Sequence, residues 1–219
     1  MTKSFLIALV LIAATAFSSF AQRNFTGTIK YKINYPASAG AMAASLPQNF
    51  EMQVAGNKAK FELVLPNGKY TFIINGDETS VTRLIDATEG KFAIKKTKEE
   101  FAKGDQPVAS PGTETKTIAG YKCKSAEVTV TDRGGKSQKN TVFYSDDLGT
   151  NNIYFNTNAK GVKGIMLDMD YTAMGVVMHI TATEVNSGRI SNKTFEIPAD
   201  YKAVTEAEFH QIKQASKKK

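Results

Sequence analysis

Polar and apolar residues alternate without a break through FTGTIKYKINY. Phe25, Gly27, Ile29, Tyr31, Ile33 and Tyr35 hold the odd positions, and Thr26, Thr28, Lys30, Lys32 and Asn34 the even ones. Period two sends successive side chains to opposite faces, so this stretch predicts a long strand with one buried face and one wet face. The pattern then repeats in shorter pieces. FEMQV leads to a turn at Gly56–Asn57. KAKFELVL alternates again, with Ala59, Phe61, Leu63 and Leu65 on one side. PNG at 66–68 is a turn, with Gly68 free to take positive φ. KYTFIIN and TSVTRLID flank a turn at Gly76–Asp77, and GKFAIKK follows, giving an antiparallel meander.

The alternation lapses in three places. PASAGAMAASLPQN, between the first two strands, is alanine-rich and reads as a short helix or a flap. TKEEFAKG predicts one or two helical turns, with Thr97 as cap and Gly104 as stop, and DQPVASPGTE predicts a crossover loop. Near the end, Thr205 and Glu208 have the spacing of a capping box. A helix starting at about Glu206 should turn Ala207, Phe209 and Ile212 toward the protein. Between these, TKTIAGYKCKSAEVTVT, NTVFYS, NIYFN, GIMLDMDY and VVMHITATEV read as strands, with DRGGKSQ and TAMG as turns. No internal repeat has a fixed period.

The lone cysteine sits in one of these strands. Tyr121, Cys123 and Ser125 share a face, with Lys122 and Lys124 opposite, but from Ala126 the apolar set becomes Ala126, Val128 and Val130. A one-residue slip of phase predicts a bulge that restores the inward face. Cys123 is then expected inside as a small hydrophobe rather than as a reactive or metal-binding thiol.

The amino terminus changes the expected compartment. Lys3 precedes the apolar run FLIALVLIAATAF, and SSFA follows, ending at Ala21. This order is that of a cleaved secretory signal, and the run is shorter than a membrane span. No cysteine follows the cut to carry a lipid. Residues 1–21 are therefore expected to be removed, leaving Gln22 first and residues 22–219 as one mainly β domain with a C-terminal helix and a basic tail. A chain of that size can bury about 70% of its unfolded surface. The formal charge of +7 is only moderately basic, and part of it lies in Lys217–Lys219. No basic patch interleaved with aromatics stands out, which argues against nucleic acid as a partner.

Three stretches, FTGTIKYKINYP, ETKTIAGYKCKSAEV and FEIPADYK, resemble a family of secreted or periplasmic bacterial proteins catalogued as domain of unknown function 4412. Such proteins look similar to the lipoprotein-carrier fold of the Lol system. The resemblance implies a curved antiparallel half-barrel of about ten strands, with one or two helices over its apolar concave face. It implies no catalytic residue.

The search for chemistry ends mostly in exclusions. GGKS at 134–137 is not a phosphate loop, because Val130 stands where the first glycine belongs and no helix follows. His179 and His210 have no matching nucleophile. Asp168 and Asp170 share a strand face that should be solvated. Met166, Met169, Met174, Met178 and His179 together are a candidate copper set, but alternation splits them between faces, so the methionines are read as pliable apolar lining. No enzyme activity, metal or cofactor is expected. The leading expectation is a periplasmic or secreted protein that holds a lipid or other apolar ligand in the concave face. Ile29, Tyr31, Phe61, Leu63, Phe72, Met169 and Met178 are the lining residues. The alternatives are a structural or interaction module with a packed interior and an envelope protein as partner, or a copper-binding protein.

Overall fold

The computed structural model describes residues 24–101, 108–131, 137–149, 151–157, 159–173 and 176–216. The signal segment, the cut before Gln22, Gly104, most of DRGGKSQ, Met174 and the terminal lysines lie outside the described residues.

The first six strands, β1 (Thr26–Asn34), β2 (Asn49–Ala55), β3 (Lys58–Leu65), β4 (Gly68–Asn75), β5 (Ser80–Ala87) and β6 (Gly90–Thr97), form the meander expected from the alternation. A 3₁₀ segment, Ala37–Ser45, joins β1 to β2, and a single helical turn, α1 (Lys98–Phe101), follows β6. The second half adds β7 (Ser110–Ile118), β8 (Tyr121–Thr131), β9 (Ser137–Ser145), β10 (Ile165–Ala173), β11 (Val176–Ser187) and a short β12 (Lys202–Ala203) before α2 (Glu206–Ser216). All twelve strands belong to one open, curled sheet in the order β12-β6-β5-β4-β3-β2-β1-β11-β10-β9-β8-β7. Every pairing is antiparallel except that of β12 with β6. β1, the strand with the longest alternation, lies in the middle and joins the two halves.

Several local expectations are corrected. The expected crossover DQPVASPGTE ends inside strand β7, and TKTIAGYKCKSAEVTVT is a hairpin, with β7 turning at Ala119–Gly120 into β8. Pro111 and a break in register between Pro111 and Thr115 are tolerated because β7 is a sheet edge. NIYFN is not a strand but a run of turns. The bulge expected in β8 is absent there: its pairing with β9 is continuous from Lys124 to Thr131. Ser125 and Ala126 are both buried because both faces of this region are covered. Ser125 faces the side of Phe143. Ala126 and Val128 face Val142, Met166, Ala159 and Val162. In α2, Phe209 is buried and Ile212 packs beside it, whereas Ala207 is exposed. The capping box forms: Glu208 N donates to Thr205 Oγ1 at 3.2 Å and Thr205 N to Glu208 Oε2 at 2.7 Å.

The principal core gathers Ile29, Tyr31, Ile33, Val54, Ala59, Ile153, Ile165 and Leu167. Gly27 is needed for close approach, since a Cβ there would overlap the Asn186 carbonyl of β11. A second cluster, Ile85, Phe92, Ile94 and Phe209, seats α2 on β5 and β6. On the other face of these strands, Leu84, Ala93 and Ile73 are covered by Phe195 and Tyr201.

Candidate functional site

The site begins with one face of the first four strands. Tyr31 is the partner of Phe50 on β2, and Phe61 on β3 is the partner of Phe72 on β4. Their rings form a continuous ladder. Tyr31 and Phe50 stack at 4.9 Å, Phe50 and Phe61 meet at 5.5 Å, and Phe61 and Phe72 stack at 4.9 Å. Leu63, opposite Tyr70, extends the strip. Cross-strand aromatic neighbours of this kind stabilise a sheet pair by roughly 0.2–1 kcal/mol.

The two ends of the ladder differ in cover. At the β1 end, residues 151–157 and 159–164 plug the face. Ile153 is wholly buried in the principal core, and Tyr154 touches both that core and the cluster on β8–β10. The plug is tied down from its other side, because Asn152 Nδ2 donates to Gly76 O at 2.9 Å and Asn152 N to Asn57 Oδ1 at 3.0 Å. At the β5–β6 end the cover is α2. Arg83 and Lys96 both reach Glu206 on its first turn, at 2.7 and 2.9 Å. Burial pushes the Glu206 carboxyl up, but the hydrogen bonds and charges of Lys96 and Arg83 outweigh it and hold it below its ordinary value. Between plug and helix, Phe50, Phe61, Leu63 and Phe72 are half-buried.

The seven residues chosen from the sequence therefore divide into three groups. Ile29 and Tyr31 are sealed core residues, 0% and 1% exposed, and cannot touch a ligand without unpacking the fold. Phe61, Leu63 and Phe72 share the half-open strip. Met169 and Met178 are half-buried on β10 and β11, with β1 and β2 between them and Phe61, Leu63 and Phe72. Phe50 was missed, although the alternation Phe50, Met52, Val54 points to it. Of two surface recesses, one shares Phe50 with the strip and the other does not adjoin it. One, of about 600 Å³, is lined by Lys30, Lys32, Gln48, Asn49, Glu51 and Thr183 together with Tyr31 and Phe50, and the lysines, Glu51 and Thr183 mark it as lying on the polar face. The other, of about 200 Å³, lies at the irregular stretch of β7 beside Ser125.

Met166, Met169, Met178 and His179 do not converge. Met166 is buried against Ala126, Val128 and Val142. His179 Nδ1 is instead 2.8 Å from Asp170 Oδ1, and its Nε2 is 3.3 Å from Asp168 Oδ2. Among the described residues no group of three His, Cys, Asp or Glu side chains is arranged to hold a metal. Asp168 is not solvated as expected. Its side chain is 6% exposed and takes Lys116 at 2.9 Å and the Thr181 hydroxyl at 3.1 Å. A break in register between Met166 and Asp168 leaves Leu167 unpaired with β9, and alternation does not report such a break.

Two tyrosines repair the backbone at that break. Tyr31 Oη donates to Met166 O at 2.8 Å, and Met166 N donates to Tyr154 Oη at 2.9 Å. Burial pushes the pKa of both phenols up, so both stay protonated. Cys123 is 0% exposed, with Sγ 3.5 Å from Tyr121 O, and burial pushes its thiol up, away from the reactive thiolate.

No family model matches the chain. No curated protein matches it either. Among solved structures, LprF from Mycobacterium bovis aligns over 81% of this chain and 90% of its own, at 13% identity and a TM-score of 0.34. That likeness is too distant to bear on function. No helix among the described residues is long and apolar enough to cross a membrane.

Proposed function

We propose that this is an exported, non-catalytic protein of the cell envelope that holds an apolar chain, such as a lipid acyl chain, along Phe50, Phe61, Leu63 and Phe72. The observation that carries the reading is the half-open aromatic strip between a packed plug and a packed helix. The signal-like amino terminus and the resemblance to a secreted family support export. A strip open on one side covers about half of a bound chain. Sixteen methylenes would then gain about 6 kcal/mol, from about 0.8 each when fully buried. Association costs make roughly 10–100 µM the tight limit.

Titration with a fluorescent long-chain fatty acid tests this. Saturable binding should be alike at low and high salt, because the driving term is apolar burial. Phe61→Ala with Phe72→Ala should weaken it while the far-ultraviolet circular dichroism stays unchanged. Binding that the double substitution leaves intact would overturn the reading. A second reading, an interaction module with a filled interior, is favoured by the sealing of Ile29, Tyr31, Ile153 and Leu167. No saturable binding at either salt leaves that module.

A further inference from the structure

The pairing of β1–β6 sorts their charged residues between the two faces of the sheet. On the face that carries Phe50, Phe61, Leu63 and Phe72, the charged residues of these strands are Arg83 and Lys96, both basic. Every other charged residue of the six strands, from Lys30 to Lys95, stands on the opposite face. Arg83 on β5 is the direct partner of Phe72, so it stands where the aromatic ladder ends. Lys96 on β6 is the partner of Val81, two residues before Arg83 and on the same face. A charge on an otherwise apolar sheet face is costly to desolvate unless it is paired.

Glu206 supplies the pairing and is divided between the two. Its Oε1 is 2.7 Å from Arg83 Nη2 and its Oε2 is 2.9 Å from Lys96 Nζ. His210 Nε2 approaches the same Oε1, at 3.7 Å. The neighbouring charges of α2 are engaged elsewhere: Lys213 with Glu89 at 3.6 Å, and Glu208 in the capping box. Two cations therefore share one carboxylate at this contact. The guanidinium edge turned to Glu206 is also only half used. Nε and Nη2 lie on that edge, and Arg83 Nε is buried with no hydrogen-bond partner among the described residues. A buried N–H without an acceptor is costly, and an anionic oxygen satisfies it best.

We propose that the chain held on the strip is that of a long-chain fatty acid, whose carboxylate takes the Nε–Nη2 edge of Arg83. The proposal rests on the strip holding an apolar chain. Such a chain laid across Phe61 and Phe72 ends at Arg83, because the next strand is only about 4.8 Å away. A carboxylate offers two oxygens to two parallel N–H donors, which an alcohol cannot do. The ligand and Glu206 compete for one edge. As the ligand takes it, Glu206 keeps Lys96, and two cations then face two carboxylates. The Arg83 side chain is 30% exposed. A partly buried pair of this kind is screened much less than one in open solvent, so binding still varies little with salt.

Displacement of the fluorescent fatty acid by unlabelled hexadecanoate, and by hexadecanol of the same chain length, tests the inference. Wild type should bind the acid roughly tenfold tighter than the alcohol, the low end for hydrogen bonds to a charged group. Arg83→Met keeps the length of the side chain without its donors, and should bring the two affinities within about twofold of each other. Arg83→Lys keeps the charge without the paired donors and should restore only part of the preference. Glu206→Gln removes the competing carboxylate and should raise the preference for the acid above that of wild type, a gain that a misfolded chain would not show. Equal affinity of wild type for acid and alcohol, or a preference that Arg83→Met leaves intact, would overturn the proposal while leaving the strip as a site for apolar chains. Binding of neither compound would overturn both.

Discussion

Tyr154→Phe removes one hydroxyl and leaves the ring. In the folded protein that hydroxyl accepts from Met166 N, where the β10–β9 pairing breaks and Met166 is 6% exposed. The substitution strands a buried backbone N–H, at a cost of about 1–3 kcal/mol. Tyr31→Phe acts on the other side of the same residue, by removing the donor to Met166 O. A carbonyl has two lone pairs and tolerates the loss of one donor better than an N–H tolerates losing its acceptor. That change should cost about 0.5–1.5 kcal/mol. Urea unfolding followed by tyrosine fluorescence and circular dichroism gives both values, provided the slope with denaturant is unchanged. For a domain of this size, Tyr154→Phe should lower the thermal midpoint by about 2–4 °C per kcal/mol. The reasoning fails if Tyr31→Phe proves the costlier change, or if both are neutral.

Cys123 should react slowly with a thiol reagent in the folded protein and rapidly in urea, and Cys123→Ala should cost about 1 kcal/mol, since only a small buried group is lost; quick labelling of the native state would contradict the packing described. The α2 anchor predicts a pH dependence. Glu206 has a folded-state value below its ordinary 4.5, so its contribution is present above 4.5 and lost as pH falls through the lower folded value. Stability should drop less in acid for Glu206→Gln than for wild type, and parallel acid curves would refute the anchor.

Alternation determined much of this protein, because a half-buried strand imposes period two on its own sequence. β1 to β6, their turns, and the placement of Phe61, Leu63 and Phe72 on one face were legible for that reason. So was the start of α2, whose capping box is a local signal. What failed depended on partners distant in the chain. Alternation reports which face is apolar but not what covers it, so Ile29 and Tyr31 read like Phe61 although the plug at Ile153 seals the core around them. Where both faces are covered the period itself disappears: Ser125 and Ala126 looked like a bulge, and Asp168 looked solvated until Lys116 from the edge strand reached it.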